Sequence, residues 1–181
     1  MTEKQWLRAG AVKLQEFALA RGASARKVQL LAVACGDVIW DDMNPAHHVY
    51  FEALRRTVEG AGTPDDERHL SECGPYPAWL DWCLMTGKRT LKVRRAANAL
   101  TREVYGNPLR AVAFDPAWRT DTAVTLAKHV YDRREFSALP ILADALQDAG
   151  CENEDVLLHL RDAKQVHVRG CWVLDLVLNR E

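Results

Sequence analysis

The spacing of apolar residues along this chain predicts helices and very little strand. Apolar residues recur every three to four positions in three separate stretches, at 28–39, 93–104 and 139–146. Residues with this spacing lie on one face of an α-helix, where they can pack against a core. A fourth stretch, residues 6–19 near the N-terminus, also has an apolar side. The pattern therefore indicates a protein built from amphipathic helices.

Polar caps, prolines and glycines predict where these helices begin and end. Thr2 stands three residues before Gln5, which is the spacing of a capping box, and Ser24 and Asn153 are favourable helix caps. Pro45 can occupy the first turn of a helix that continues to about residue 58. Several predicted helix ends are marked by residues that stop a helix: Gly22, Gly150 and the sequence GNP at 106–108.

Two stretches have a less certain pattern. Residues 60–78 are rich in Gly, Pro, Asp and Glu and are the least ordered part of this prediction; a short helix over residues 78–85 would follow. The stretch at 166–178 is ambiguous, because its valines favour a strand. Since nothing else in the chain would pair with such a strand, we interpret this stretch as a helix. In that helix Trp172, Leu174 and Leu178 are predicted to close the core.

The predicted fold class is all-α, with about eight or nine helices. Short connections between the predicted helices favour antiparallel neighbours, in an irregular bundle or in HEAT-like helix pairs. The length of 181 residues suits one helical domain over 1–181. A subdivision is also considered, into N-terminal helices at 1–60, a variable middle at 61–105 and a C-terminal helical part at 106–181.

Composition and charge place the chain among ordinary soluble globular proteins. Hydrophobic residues make up 48% and charged residues 27%, and the formal net charge is −1. This charge gives no overall field that would hold nucleic acid or an acidic membrane. The N-terminus lacks the apolar core of a signal peptide, and no stretch approaches the roughly 20 apolar residues of a membrane span. Five scattered cysteines without a CxxC motif indicate reduced thiols, so we expect a cytoplasmic protein.

Four residues near the C-terminus are candidate zinc ligands: Cys151, His159, His167 and Cys171. A structural zinc site needs four nitrogen or sulfur ligands, but this spacing matches no known zinc finger. Cys171 beside His167 could instead be a reactive thiol, although apolar surroundings would raise its pKa and make it inert. The interpretation that we prefer is that both cysteines are buried apolar side chains and that no cofactor is bound. Zinc is the alternative.

A basic helix at 88–102 and an aromatic segment before it are the candidate partner-binding surface. The residues are Tyr76, Trp79, Trp82, Lys88, Lys92, Arg95 and Arg102. Cations one helical turn apart can face an acidic protein or a phosphate backbone, and they are equally typical of a solvated helix face. We expect a protein partner and no membrane, and the net charge argues against nucleic acid.

Three motifs resemble an uncharacterised family of small bacterial proteins, found mainly in planctomycetes. They are GNPLRAVAFDPAW, LPILADALQDAGC and HVRGCWVLDLVL. Two positions depart from that family: Leu160 stands where a cysteine is frequent, and Gly36 follows Cys35 where a Cys-Cys pair is frequent. The resemblance implies no activity, cofactor or partner.

These observations favour a non-enzymatic function. The chain has no Gly-rich phosphate loop, no GxSxG and no HExxH motif. We therefore predict a cytoplasmic helical module that binds another protein. The alternatives are a zinc- or thiol-dependent site at Cys151, His159, His167 and Cys171, and nucleic-acid binding through the helix at 88–102.

Overall fold

The chain folds from α-helices that pack against one another. The computed structural model describes residues 1–73 and 90–180. Within these ranges it has ten α-helices, three 3-10 turns and no strand, which confirms the predicted all-α class. The helices are α1 (Glu3–Arg8), α2 (Ala11–Leu19), α3 (Ala25–Val38), α4 (Pro45–Val58), α5 (Pro64–Glu72), α6 (Thr90–Tyr105), α7 (Asp121–Arg133), α8 (Leu139–Asp148), α9 (Glu154–Arg161) and α10 (Trp172–Leu178). No helix in the same ranges has both the length and the apolar character that a membrane crossing requires.

The chain divides into two compact units. Unit 1 is Met1–Arg102 and unit 2 is Glu103–Glu181. In unit 1, α3 packs against α4 and α4 packs against α5. Among the described residues of unit 1, the fully buried large side chains include Trp6, Leu14, Leu31 and Phe51. The predicted subdivision at residues 60 and 105 stays a prediction.

Two residues of α6 explain why the N-terminal helix is split into α1 and α2. The guanidinium of Arg102 donates hydrogen bonds to the carbonyls of Trp6, Leu7 and Ala9, at 2.9 to 3.1 Å. The side-chain carbonyl of Asn98 accepts from the backbone N–H of Ala11, at 2.6 Å. The last carbonyls of α1 and the first N–H of α2 are therefore satisfied by side chains rather than by a continuous helix. The prediction of one unbroken helix up to Gly22 is wrong for this reason.

Gly36 marks a close approach between α3 and α4. A Cβ atom at this position would lie 2.7 Å from Cδ1 and Cε1 of Phe51, whose ring is buried. This is much closer than two carbon atoms can pack without displacing each other. Glycine is a poor helix former, so its presence inside α3 costs helix stability but allows the phenyl ring to contact the backbone.

Gly36→Ala is expected to destabilise the protein by about 1–3 kcal/mol, because overpacking against Phe51 outweighs the gain in helix propensity of about 1 kcal/mol. Urea denaturation followed by circular dichroism measures this change. The control is the same substitution in a Phe51→Leu background, where the smaller side chain removes the clash and Gly36→Ala should cost much less. Stabilisation by Gly36→Ala in the otherwise unchanged protein would contradict the packing argument.

Unit 2 has its own apolar core. In it α7 packs against α8 and α10, and α9 packs against α8 and α10. Five leucines of this core are completely or almost completely buried: Leu139, Leu142, Leu146, Leu160 and Leu174. Trp172 and Leu178 are only partly buried and pack against the edge of the core. Of the three residues predicted to close the core, Leu174 is thus the one at its centre.

The segment between α9 and α10 differs from the prediction of a helix over 166–178. Residues 162–171 form a non-helical segment that contains two turns, and the helix begins only at Trp172. Gly170 has a φ of +92°, a conformation that favours glycine and that ends any helical path there. This turn brings His167 and Cys171 to the same end of unit 2 as the last turn of α9.

Candidate metal centre

Four side chains of unit 2 bring potential metal ligands together. They are Glu103 near the end of α6, His159 in α9, His167 in the turn after α9, and Cys171 directly before α10. One ligand atom from each residue can be chosen so that all four lie within 4.8 Å of one another. The group therefore joins the end of α6 to a much later stretch of the chain, which runs from α9 through the following turn to the start of α10.

Glu103 is the centre of this group. Its side chain is completely buried, and its two carboxylate oxygens are shared among three nitrogen atoms. Oε1 lies 3.0 Å from Nδ1 of His167, while Oε2 lies 3.3 Å from Nε2 of His159 and 3.2 Å from the side-chain nitrogen of Gln165. A buried carboxylate is costly unless its oxygens are hydrogen-bonded, and here both are.

The two histidines hold Glu103 in its charged form. Burial by itself would raise the pKa of Glu103, but the hydrogen bonds from His159 and His167 outweigh burial and lower the pKa to about 2. At neutral pH the residue is therefore a carboxylate, a state that can accept hydrogen bonds or bind a cation.

Cys171 lies beside the same histidine but is not activated. Its Sγ is 3.3 Å from Nε2 of His159. Burial raises the pKa of the Cys171 thiol well above its ordinary value, and the negative charge of Glu103 raises it further. As long as protein groups alone surround it, Cys171 is a protonated thiol at neutral pH.

The geometry is not that of a catalytic Cys-His-Glu triad. In such a triad the nucleophile and the carboxylate bind opposite nitrogens of the imidazole. One nitrogen accepts the proton of the nucleophile, and the N–H of the other nitrogen donates to the carboxylate. Here Sγ of Cys171 and Oε2 of Glu103 both face the same atom, Nε2 of His159. The other nitrogen, Nδ1, lies 3.3 Å from the indole Nε1 of Trp172. The thiol is also completely buried, so its Sγ is not exposed for attack on a substrate.

Gly106 sets the position of Trp172. Gly106 has a φ of +63° and ends α6, as the GNP sequence predicted. A Cβ atom there would lie 3.0 and 3.1 Å from Cγ and Cδ2 of Trp172. The indole thus lies directly against the backbone after α6, and its N–H points to His159.

The structure brings together three of the four predicted zinc ligands, His159, His167 and Cys171. Cys151 is not in the group; it lies in the apolar core of unit 2, where burial raises its pKa. Glu103 takes the fourth place and was missed by the sequence analysis. The sequence does contain a signal for Glu103. It is a charged residue on the apolar side of α6, three positions after Leu100 and next to Val104.

The predicted partner-binding surface is only partly covered by the described residues. Tyr76, Trp79, Trp82 and Lys88 lie outside them, as does the side chain of Lys92. Arg95 is exposed on α6. Arg102 binds the carbonyls at the end of α1 and so has a structural role within unit 1. Binding of a protein or of nucleic acid through residues 76–102 stays a prediction.

Comparison with known proteins identifies no relative of this chain. No protein-family model matches this chain, and neither a curated protein nor a solved structure matches it. The resemblance of its three motifs to a planctomycete family stays a prediction, and the function has to be argued from the geometry of unit 2.

Proposed function

We propose that this chain is a metal-binding protein that holds one divalent ion of the zinc class in unit 2. The ligands are Glu103, His159, His167 and Cys171. The observation that carries the proposal is the convergence of these four donor atoms within 4.8 Å. Ligand atoms around a tetrahedral zinc ion lie roughly 3.3–3.8 Å apart, so the side chains need only small shifts to surround an ion.

The charges of the ligands favour a divalent ion. Glu103 contributes one negative charge, and Cys171 contributes a second when it loses its proton to become a ligand. Two neutral imidazoles complete the set. A divalent ion with these ligands has no net charge, which greatly lowers the cost of burying it.

The chemical nature of the donors favours zinc over magnesium or calcium. One thiolate, two imidazole nitrogens and one carboxylate are ligands that suit zinc and cobalt. Calcium takes six to eight oxygen ligands and magnesium an octahedral set with several waters. The sulfur of Cys171 and the nitrogens of His159 and His167 fit neither requirement.

The burial of the ligands favours a structural role over a catalytic one. Catalytic zinc sites have three protein ligands and keep one position for water or substrate, whereas structural sites have four. The side chains of Glu103 and His167 are 0% and 7% exposed, and that of His159 is 12% exposed. An ion at this place would tie together α6, α9, α10 and the turn at His167, and its binding free energy would add to the stability of unit 2.

The test is metal content and cobalt spectroscopy of the purified protein. About one zinc ion per chain is expected, removable by a chelator with a fall in the thermal midpoint. Refilling with Co²⁺ should produce the intense d–d bands of tetrahedral cobalt and a thiolate-to-cobalt charge-transfer band. Cys171→Ser should abolish the charge-transfer band.

Cys151→Ser is the matched control. Cys151 is a buried cysteine of the same unit but lies outside the ligand group, so its replacement should leave the cobalt spectrum unchanged. Circular dichroism establishes that both variants are folded. A protein that takes up neither zinc nor cobalt, or a charge-transfer band that survives in Cys171→Ser, would overturn the proposal and leave the group as a buried hydrogen-bonded cluster.

A further inference from the structure

The hydrogen bond between Trp172 and His159 defines which nitrogen of the imidazole carries the proton. Nε1 of Trp172 lies 3.3 Å from Nδ1 of His159. An indole N–H can only donate, so Nδ1 has to be the acceptor and cannot itself be protonated. The proton of the ring is therefore on Nε2, directed at Oε2 of Glu103 and Sγ of Cys171, each 3.3 Å away.

A metal ion in the group requires the opposite tautomer. The ion binds the lone pair of Nε2, so a neutral ring then carries its proton on Nδ1. That Nδ1–H would meet the Nε1–H of Trp172, and two donors would face each other at hydrogen-bond distance. Histidine ligands of metals almost always donate their second N–H to an acceptor, and Trp172 offers none.

We infer that Trp172 is a positioning residue that opposes metal binding by holding His159 in the tautomer that cannot bind a metal through Nε2. This inference rests on the proposed metal site. Metal entry has to break the indole–imidazole hydrogen bond and turn the indole away. Because Trp172 is only partly buried at the start of α10, its ring can move towards solvent without emptying the core. The affinity of the site is thus set by a residue that is not a ligand.

The packing around the indole allows the effect of its N–H on metal binding to be tested separately from the effect of its ring. On one side Trp172 lies against the backbone of Gly106, and on the other its ring centroid is 5.1 Å from that of His159. A phenyl ring in place of the indole would keep aromatic packing at both contacts and remove the N–H. Trp172→Phe therefore separates the hydrogen bond from the packing.

The expected result is that Trp172→Phe binds zinc more tightly than the unchanged protein, by roughly five- to tenfold, which corresponds to the net value of one hydrogen bond. Titration of Zn²⁺ against a chromogenic chelator measures the affinity. Trp118→Phe is the matched control, since Trp118 is also a partly buried tryptophan of unit 2 but packs on Phe114, with ring centroids 5.1 Å apart. Its zinc affinity should not change.

Long-range ¹H–¹⁵N NMR correlations provide a second readout that needs no variant. In the unchanged protein, the proton of His159 should be on Nε2 after treatment with a chelator and on Nδ1 after addition of Zn²⁺. If zinc binds but Trp172→Phe has equal or weaker affinity, or His159 has its proton on Nδ1 before zinc is added, the inference is overturned and the metal site stands. If zinc binds neither protein, the proposed function fails and the inference fails with it.

Discussion

Glu103→Ala is expected to destabilise the chelator-treated protein by roughly 3–5 kcal/mol, because it leaves several buried hydrogen-bonding groups without a partner, each at a cost of about 1–3 kcal/mol. The substitution would leave the nitrogens of His159, His167 and Gln165 without the carboxylate that they contact. It would also create a cavity at a completely buried position. Urea denaturation followed by circular dichroism gives the change in the free energy of unfolding.

Glu135→Ala is the control for this prediction. Glu135 also contacts a histidine, with Oε2 3.0 Å from Nε2 of His129, but both side chains are more than half exposed. An exposed pair contributes little, at most about 1 kcal/mol. If the two alanine variants have similar free energies of unfolding, the buried carboxylate of Glu103 does not stabilise unit 2 as expected.

Leu142→Ala is expected to destabilise the protein by about 2–5 kcal/mol, because it removes a large side chain from the core and leaves a cavity. Leu142 is 0% exposed in α8, whereas its neighbour Ile141 is 57% exposed. Ile141→Ala in the same helix should change the free energy of unfolding by about 0.5 kcal/mol or less. Chemical denaturation of both variants measures the difference, and equal costs would contradict the assignment of the core face of α8.

Local signals in the sequence were enough to predict much of the helical structure. Thr2, Ser24 and Asn153 each accept a hydrogen bond from a backbone N–H of the helix that follows, as such caps do. These signals involve residues at most three positions apart, so they can be recognised without knowledge of the fold. The apolar spacing within 139–146 likewise identified the buried face of α8.

One local signal was overlooked. Residues 60–78 were predicted to be the least ordered part, yet α5 begins at Pro64 within them. Thr63 and Asp66 form a capping box, with Pro64 in the first turn. The Asp and Pro content that suggested a loop is instead the composition of a helix N-terminus.

The remaining differences arise from contacts between residues far apart in the sequence. The break between α1 and α2 depends on Arg102, which is more than 90 residues away from the carbonyls that it binds. Similarly, His159, His167 and Cys171 could be nominated because they are near each other in the chain, but Glu103 joins them only through folding. Cys151 is equally near in sequence, and the fold directs it into the core instead. Proximity along the chain therefore could not separate the ligand group from its neighbours.

The conformation of Gly106 has a consequence for natural variation at this position. Two independent restrictions meet there: a positive φ, which side chains with a Cβ rarely adopt, and the indole of Trp172 within 3.1 Å of where that Cβ would lie. Asparagine, which tolerates a positive φ in many helix ends, would fit here only if the indole of Trp172 shifted away. We therefore expect a residue other than glycine at position 106 only in lineages where residue 172 is smaller, whereas residue 172 can become smaller while Gly106 stays unchanged.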